Sequence, residues 1–148
     1  MAKVFIIIGS KSDMEYAEKC QAQLEVFQIT SDLKVSSAHR HPEQTKNYIE
    51  QAEKDGYEVI IAMAGLSAAL PGVAAAHTNL PVIGVPLPAA LGGIDALLSV
   101  TQMPPGIPVA AVAVGSPGAK NSAVLAARIL ALKYDDVKQA LSKHRDSL

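Results

Sequence analysis

At 148 residues the chain has the length of one domain, 1–148, with room for a full core but not for two comfortable ones. Thirteen Lys and Arg against fourteen Asp and Glu leave a net charge of −1, which gives no electrostatic basis for binding nucleic acid or an anionic membrane and points to a small-molecule partner. Hydrophobic residues make up 49% and charged residues 18%, with a mean hydropathy of +0.21, so some apolar surface is expected between subunits.

Residues 4–8, Val-Phe-Ile-Ile-Ile, form an apolar run stopped by Gly9, the pattern of a strand buried on both faces of a parallel sheet. Ser12 and Glu15 have capping-box spacing, and Met14, Ala17, Cys20, Leu24 and Phe27 then recur at helical intervals. A weaker second strand is expected over 33–36. A helix follows from Pro42 to Lys54, with Pro42 opening its first turn and Gly56 placed for a left-handed cap. Residues 58–64 read as a third strand. Ser67 is placed to cap a short alanine-rich helix over 68–76, with Pro71 tolerated in its first turn. Residues 81–85 are a fourth strand, 86–93 a loop punctuated by Pro and Gly, and 94–100 a helix. A fifth strand is expected over 108–114. The helix predicted over 119–132 has almost no polar face and is expected to be buried between subunits, and a last helix, capped by Asp135 or Asp136, carries Val137, Ala140, Leu141 and His144 on one stripe. That stripe suits packing on the chain's own core or on a neighbour.

Strands alternating with helices predict an α/β fold, a three-layer doubly wound parallel sheet of flavodoxin type in the order 2-1-3-4-5, with an additional C-terminal helix. Ligands in such sheets bind beyond the carboxyl ends of the strands where the winding reverses. Three loops converge there: 9–13, 36–42 and 65–72. The first joins Gly9 to Ser10, Ser12 and Asp13 at a helix start, where free amides favour an anion, although a capping box alone accounts for Ser12. Neither G-x-G-x-x-G nor a P-loop is present, which argues against the usual modes of dinucleotide and nucleoside triphosphate binding.

The second loop, Ser36-Ser37-Ala38-His39-Arg40-His41-Pro42, puts a proton-transfer group beside a fixed cation. Of the four histidines, His39 has the place for general acid/base work, since His41 reads as a helix-start residue and His77 and His144 as helix-surface residues. None has an i, i+4 histidine or a cysteine neighbour, so no metal site is expected. The lone Cys20 falls on an apolar stripe, and no signal-peptide core or 18-residue apolar span is visible, which predicts a cytoplasmic protein without disulfides.

G-S-x-S-D after the first strand, S-A-H-R-x-P after the second and A-G-x-x-A-x-L-P-G after the third, followed by L-P-V-I-G-V-P and Q-M-P-x-G-I-P-V, strongly resemble the N5-carboxyaminoimidazole ribonucleotide mutases of purine biosynthesis. The resemblance runs along nearly the whole chain. It implies a homo-octamer without metal or organic cofactor, acting on an aminoimidazole ribonucleotide. Position by position it places Ser10 and Asp13 on the substrate, Arg40 on its phosphate, Ser37 and Ala38 along the ring and His39 as the catalytic acid/base; Ser12 of the first loop and Gly65 and Ser67 of the third are further expected substrate-binding residues. The chemistry it implies releases carbon dioxide from the exocyclic nitrogen, holds it in a dry pocket and attaches it to ring carbon C4.

One departure stands out: many mutases have histidine where this chain has Ala69. The related carboxylases, which use carbon dioxide directly, resemble A-G-x-S-N-A-L there. Ser67 and Ala69 match that pattern, while Ala68 and Arg40, where carboxylases usually carry lysine, do not. Direct carboxylation is therefore the alternative activity, and a non-catalytic phosphosugar or nucleotide sensor the alternative of another class. Flavin binding is disfavoured by an aromatic content of 4% and the absence of Trp.

Overall fold

The computed structural model describes all residues, Met1–Leu148. Five parallel strands, β1 (Lys3–Ile8), β2 (Thr30–Val35), β3 (Val59–Gly65), β4 (Val82–Leu87) and β5 (Ala110–Ala111), lie in the order β2-β1-β3-β4-β5. The six α-helices are α1 (Met14–Val26), α2 (Pro42–Lys54), α3 (Leu70–Ala76), α4 (Ile94–Thr101), α5 (Ser116–Leu130) and α6 (Asp135–Asp146). The winding reverses between β1 and β3, as the alternation of elements predicts.

Side-chain alternation along the strands divides the core in two. Val4, Ile6 and Ile8 of β1, with Ile61 and Met63 of β3, pack under α1, α5 and α6. Phe5 and Ile7, with Ile60 and Ala62, pack under α2, α3 and α4. β1, β3 and β4 are therefore apolar on both faces, whereas edge strand β2 alternates exposed and half-buried residues. Cys20, on the buried stripe of α1, touches Ser122 of α5 at 3.5 Å, and burial pushes its thiol up to about 11 although that contact pulls the other way.

Several local expectations need correction. β2 begins at Thr30 and ends before Ser36. β5 has two ladder residues where seven were expected, because its partner strand cannot supply a continuous edge. The carbonyls of Gly84 and Pro86 accept from Val112 and Gly115, so both residues turn their polar groups to β5, and Pro86 has no N–H to give. α1 has no Ser12–Glu15 capping box. A 3₁₀ turn over Lys11–Asp13 precedes the helix, Ser10 caps that turn, and Asp13 takes the N-cap position of α1 without a side-chain bond.

Ser67 does not cap α3, which starts at Leu70 after Ala69. α6 is preceded by Tyr134, and Asp135 and Asp136 lie in its first turn, where the helix dipole favours them. α5 has a polar side after all, carrying exposed Lys120, Asn121 and Arg128, while its apolar residues are covered by α1, α6 and the sheet. α6 packs on its own chain, with His144 edge-on to Phe27 at 5.2 Å between ring centroids. No helix is long and apolar enough to cross a membrane.

Candidate active site

The peptide planes at the carboxyl ends of β1, β2 and β3 deliver the three loops to a single pocket of about 610 Å³. Gly9, Ser10, Ser12 and Asp13 line it from the first loop, Ser37, Ala38, His39 and Arg40 from the second, and Gly65 to Leu70 from the third. All nine site residues expected from the sequence are brought together here. The sequence reading missed a fourth contributor, Leu87 at the end of β4 with Pro88 and Ala89 after it. Its signal was available: these residues lie at the carboxyl end of an interior strand beside the winding reversal.

The first loop is set by Ser10. Its Oγ accepts from the backbone N–H of Ser12 at 3.3 Å and lies 3.0 Å from the Ser12 hydroxyl, which donates to it. With two hydrogens received, Ser10 retains its own O–H to donate to a ligand. A Cβ on Gly9 would meet nothing in the chain, so glycine here keeps pocket space open. Asp13 is half-buried, and burial pushes its carboxyl above the ordinary range, a rise only partly offset by a hydrogen bond with the Ser10 backbone.

The second loop hangs from a buried hydroxyl pair. The Ser36 N–H donates to the Ile8 carbonyl at 2.9 Å, continuing the β1 ladder by one residue, while its Oγ meets Thr45 Oγ1 at 2.7 Å and donates to Gln44 Oε1 at 3.1 Å. Thr45 in turn donates to the His41 carbonyl at 2.9 Å. Strand and helix thus clamp the intervening turn from both ends. Within it the Arg40 N–H donates to Ser37 Oγ at 3.1 Å, and the His41 N–H to the Ser37 carbonyl at 2.8 Å. His39 and Arg40 are exposed at the pocket wall, and the Arg40 guanidinium has no carboxylate within ion-pairing distance.

The third loop contains Leu66, a non-glycine residue at φ +56° and exposed. Left-handed backbone at a bulky residue is costly, and such strain gathers where a loop must present atoms to a ligand. Ala64, Ala68, Leu70 and Leu87 form the buried apolar part of the pocket, below the hydroxyls, the imidazole, the cation and the carboxylate. No group of three or more His, Cys, Asp or Glu residues is arranged to hold a metal ion. The arrangement can hold an anion at Arg40, hydrogen-bond a polar body along the serines, and exchange a proton at His39 beside an apolar recess.

Fold and pocket together define a doubly wound α/β protein with a small-molecule site beyond the carboxyl ends of its strands. The family model described as AIR carboxylase matches residues 3–148, and the chain belongs to that family. It is 52% identical over 149 residues to the N5-carboxyaminoimidazole ribonucleotide mutase of Pyrococcus abyssi, covering 100% of this chain and 84% of that one. With the mutase of Escherichia coli K12 the identity is 46% over 145 residues, covering 97% and 86%. Among solved structures, that of Treponema denticola PurE is similar with a TM-score of 0.91 and 32% identity, over 99% of this chain and 91% of that one.

Proposed function

We propose that this chain catalyses the interconversion of N5-carboxyaminoimidazole ribonucleotide and 4-carboxy-5-aminoimidazole ribonucleotide, a reading supported by relatives that bear the name N5-carboxyaminoimidazole ribonucleotide mutase. The observation that carries this reading is the convergence of His39, Arg40, Ser10 and Asp13 on one pocket floored by alanine and leucine. In the forward direction the exocyclic N–carboxyl bond breaks and releases carbon dioxide, and C4 then forms a bond to that carbon. The proton lost from C4 goes to His39 and returns to the exocyclic nitrogen, so the net change exchanges a carboxyl group for a proton. Arg40 holds the substrate phosphate, with the free hydroxyls of Ser10 and Ser37 as further donors. Ser12 and Asp13 contact the ribose phosphate portion, Ala38 lies along the ring, and Gly65 and Ser67 complete the third wall. The apolar recess keeps the released carbon dioxide from water.

Direct carboxylation of aminoimidazole ribonucleotide is the second reading, favoured by Ala69, which cannot donate a hydrogen bond where many mutases carry histidine. Purified protein is offered either the N-carboxylated nucleotide or aminoimidazole ribonucleotide with labelled bicarbonate and carbonic anhydrase. Conversion of the N-carboxylated nucleotide faster than its spontaneous breakdown is expected. Label entering C4 at a comparable catalytic rate from free carbon dioxide, with the N-carboxylated form reacting only as it decomposes, would establish the carboxylase instead.

We place the working form in a homo-octamer, as the sequence resemblance implies, in the cytoplasm and with no cofactor. The support is a set of exposed apolar side chains, Leu66, Leu91, Ile94, Leu98 and Ile107, with Ile94 and Leu98 on one face of α4. The apolar side of α5 is occupied within the protomer, so the contact belongs to the α4 side rather than to α5.

A further inference from the structure

Away from the pocket that holds His39, a second cavity of about 880 Å³ opens between α1, α5 and α6. Lys120 and Arg128 of α5 and Lys138 and Arg145 of α6 line it, with no acidic side chain; Leu148, the last residue, also lines it and brings one terminal carboxylate. None of these four cations has a carboxylate within 4.0 Å, although the chain as a whole carries a net charge of −1. Gln23 of α1 also lines the cavity, and its Nε2 is buried without a hydrogen-bond partner. Buried amide donors are nearly always satisfied, and a rotation of the half-buried Gln23 side chain would bring this one to an acceptor in the cavity.

We propose that this α1–α5–α6 cavity binds a compact polyphosphate anion, separately from the His39 site. Four cations against one terminal carboxylate leave the concavity net positive, and a ligand carrying several negative charges relieves their mutual repulsion. Phosphate suits the donor set: the Arg128 and Arg145 guanidiniums can each span two phosphate oxygens, the lysines act as point charges, and Gln23 Nε2 supplies a neutral donor. The volume falls within the range of about 300–1,000 Å³ usual for small-molecule sites, and basic residues are concentrated here rather than spread along an extended track for nucleic acid. The phosphate groups can come from inorganic polyphosphate or from the chain of a nucleoside triphosphate.

The test is calorimetric titration of the assembled protein with sodium tripolyphosphate and, separately, with ATP, at about 50 mM and about 500 mM salt. Binding with a Kd on the order of tens of micromolar at the lower salt is expected, weakened at least about 10-fold by Arg128→Ala combined with Lys138→Ala. Both residues are exposed, and circular dichroism and turnover of the double variant should match the parent. Arg40→Ala should leave the binding intact. Equal affinity for the two probes assigns recognition to the phosphate chain, and tighter binding of ATP adds its nucleoside to the site. The proposal fails if neither probe binds below about 1 mM at the lower salt, if the double variant binds as well as the parent, or if Arg40→Ala abolishes binding.

Discussion

His39 and Arg40 are neighbours in sequence and should separate cleanly in kinetics. The proposed roles predict that His39→Asn keeps the fold and lowers turnover by at least about 100-fold, the usual range for a general acid or base, and that Arg40→Ala raises KM by removing a phosphate contact. Steady-state rates checked against circular dichroism distinguish these losses from unfolding. Asp13 adds a dependence on pH. Because burial raises its folded-state carboxyl above the unfolded value, the folded protein holds that proton more tightly, and the charged side chain penalises folding above the folded pKa. Asp13→Asn should therefore melt slightly higher at neutral pH and lose activity, with the melting difference vanishing below the unfolded pKa. Thermal scans from acid to neutral pH read this directly. His39, Arg40 and the serines were visible in the sequence because their chemistry is written in residue type. The clamp behind them was not, since the pairing of Ser36 with Thr45 depends on how α2 seats against the end of β2, a distance no local pattern encodes.

At the level of elements, long periodic segments were legible and boundaries were not. α2 runs from Pro42 to Lys54 as expected because proline opens it and Gly56, at φ +82°, takes the left-handed position beyond its end. β1, β3 and β4 were legible because burial on both faces demands unbroken apolar runs. β5 misled because 108–114 has the composition of a strand, while its ladder is limited by Pro86 on the neighbouring strand, a partner that composition cannot reveal. The serine caps failed for a related reason: Ser12 and Ser67 stand in loops shaped around the pocket, where hydroxyls face other demands than helix ends. The seam between β5 and α5 carries its own test. A Cβ on Gly118 would lie 1.6 Å from the Ala113 carbonyl oxygen, a backbone atom that cannot swing away. Gly118→Ala should cost more than about 3 kcal/mol or prevent folding altogether, seen as loss of the denaturant transition or of soluble protein.

On the scale of the whole molecule, the assembly proposed above rests on the exposed apolar face of α4. Light scattering should report an octamer, and Ile94→Glu with Leu98→Glu should release smaller species that remain folded; a parent protein monomeric at micromolar concentration would exclude the assembly. The apolar excess read from composition was expected to meet a neighbouring subunit at the helix over 119–132, and that expectation is corrected, because the apolar residues of α5 find their partners inside the protomer. That interior also encloses the only thiol in the chain. Cys20 has no exposed surface, and its raised pKa leaves almost no thiolate at neutral pH, so an external disulfide reagent can reach it only when α1 lifts from α5. The rate at which such a reagent labels the native protein should therefore fall to the rate of rare openings, and slow further when substrate occupies the pocket at the head of α1. Without any engineered probe, the molecule carries its own clock for the lifetime of its folded state.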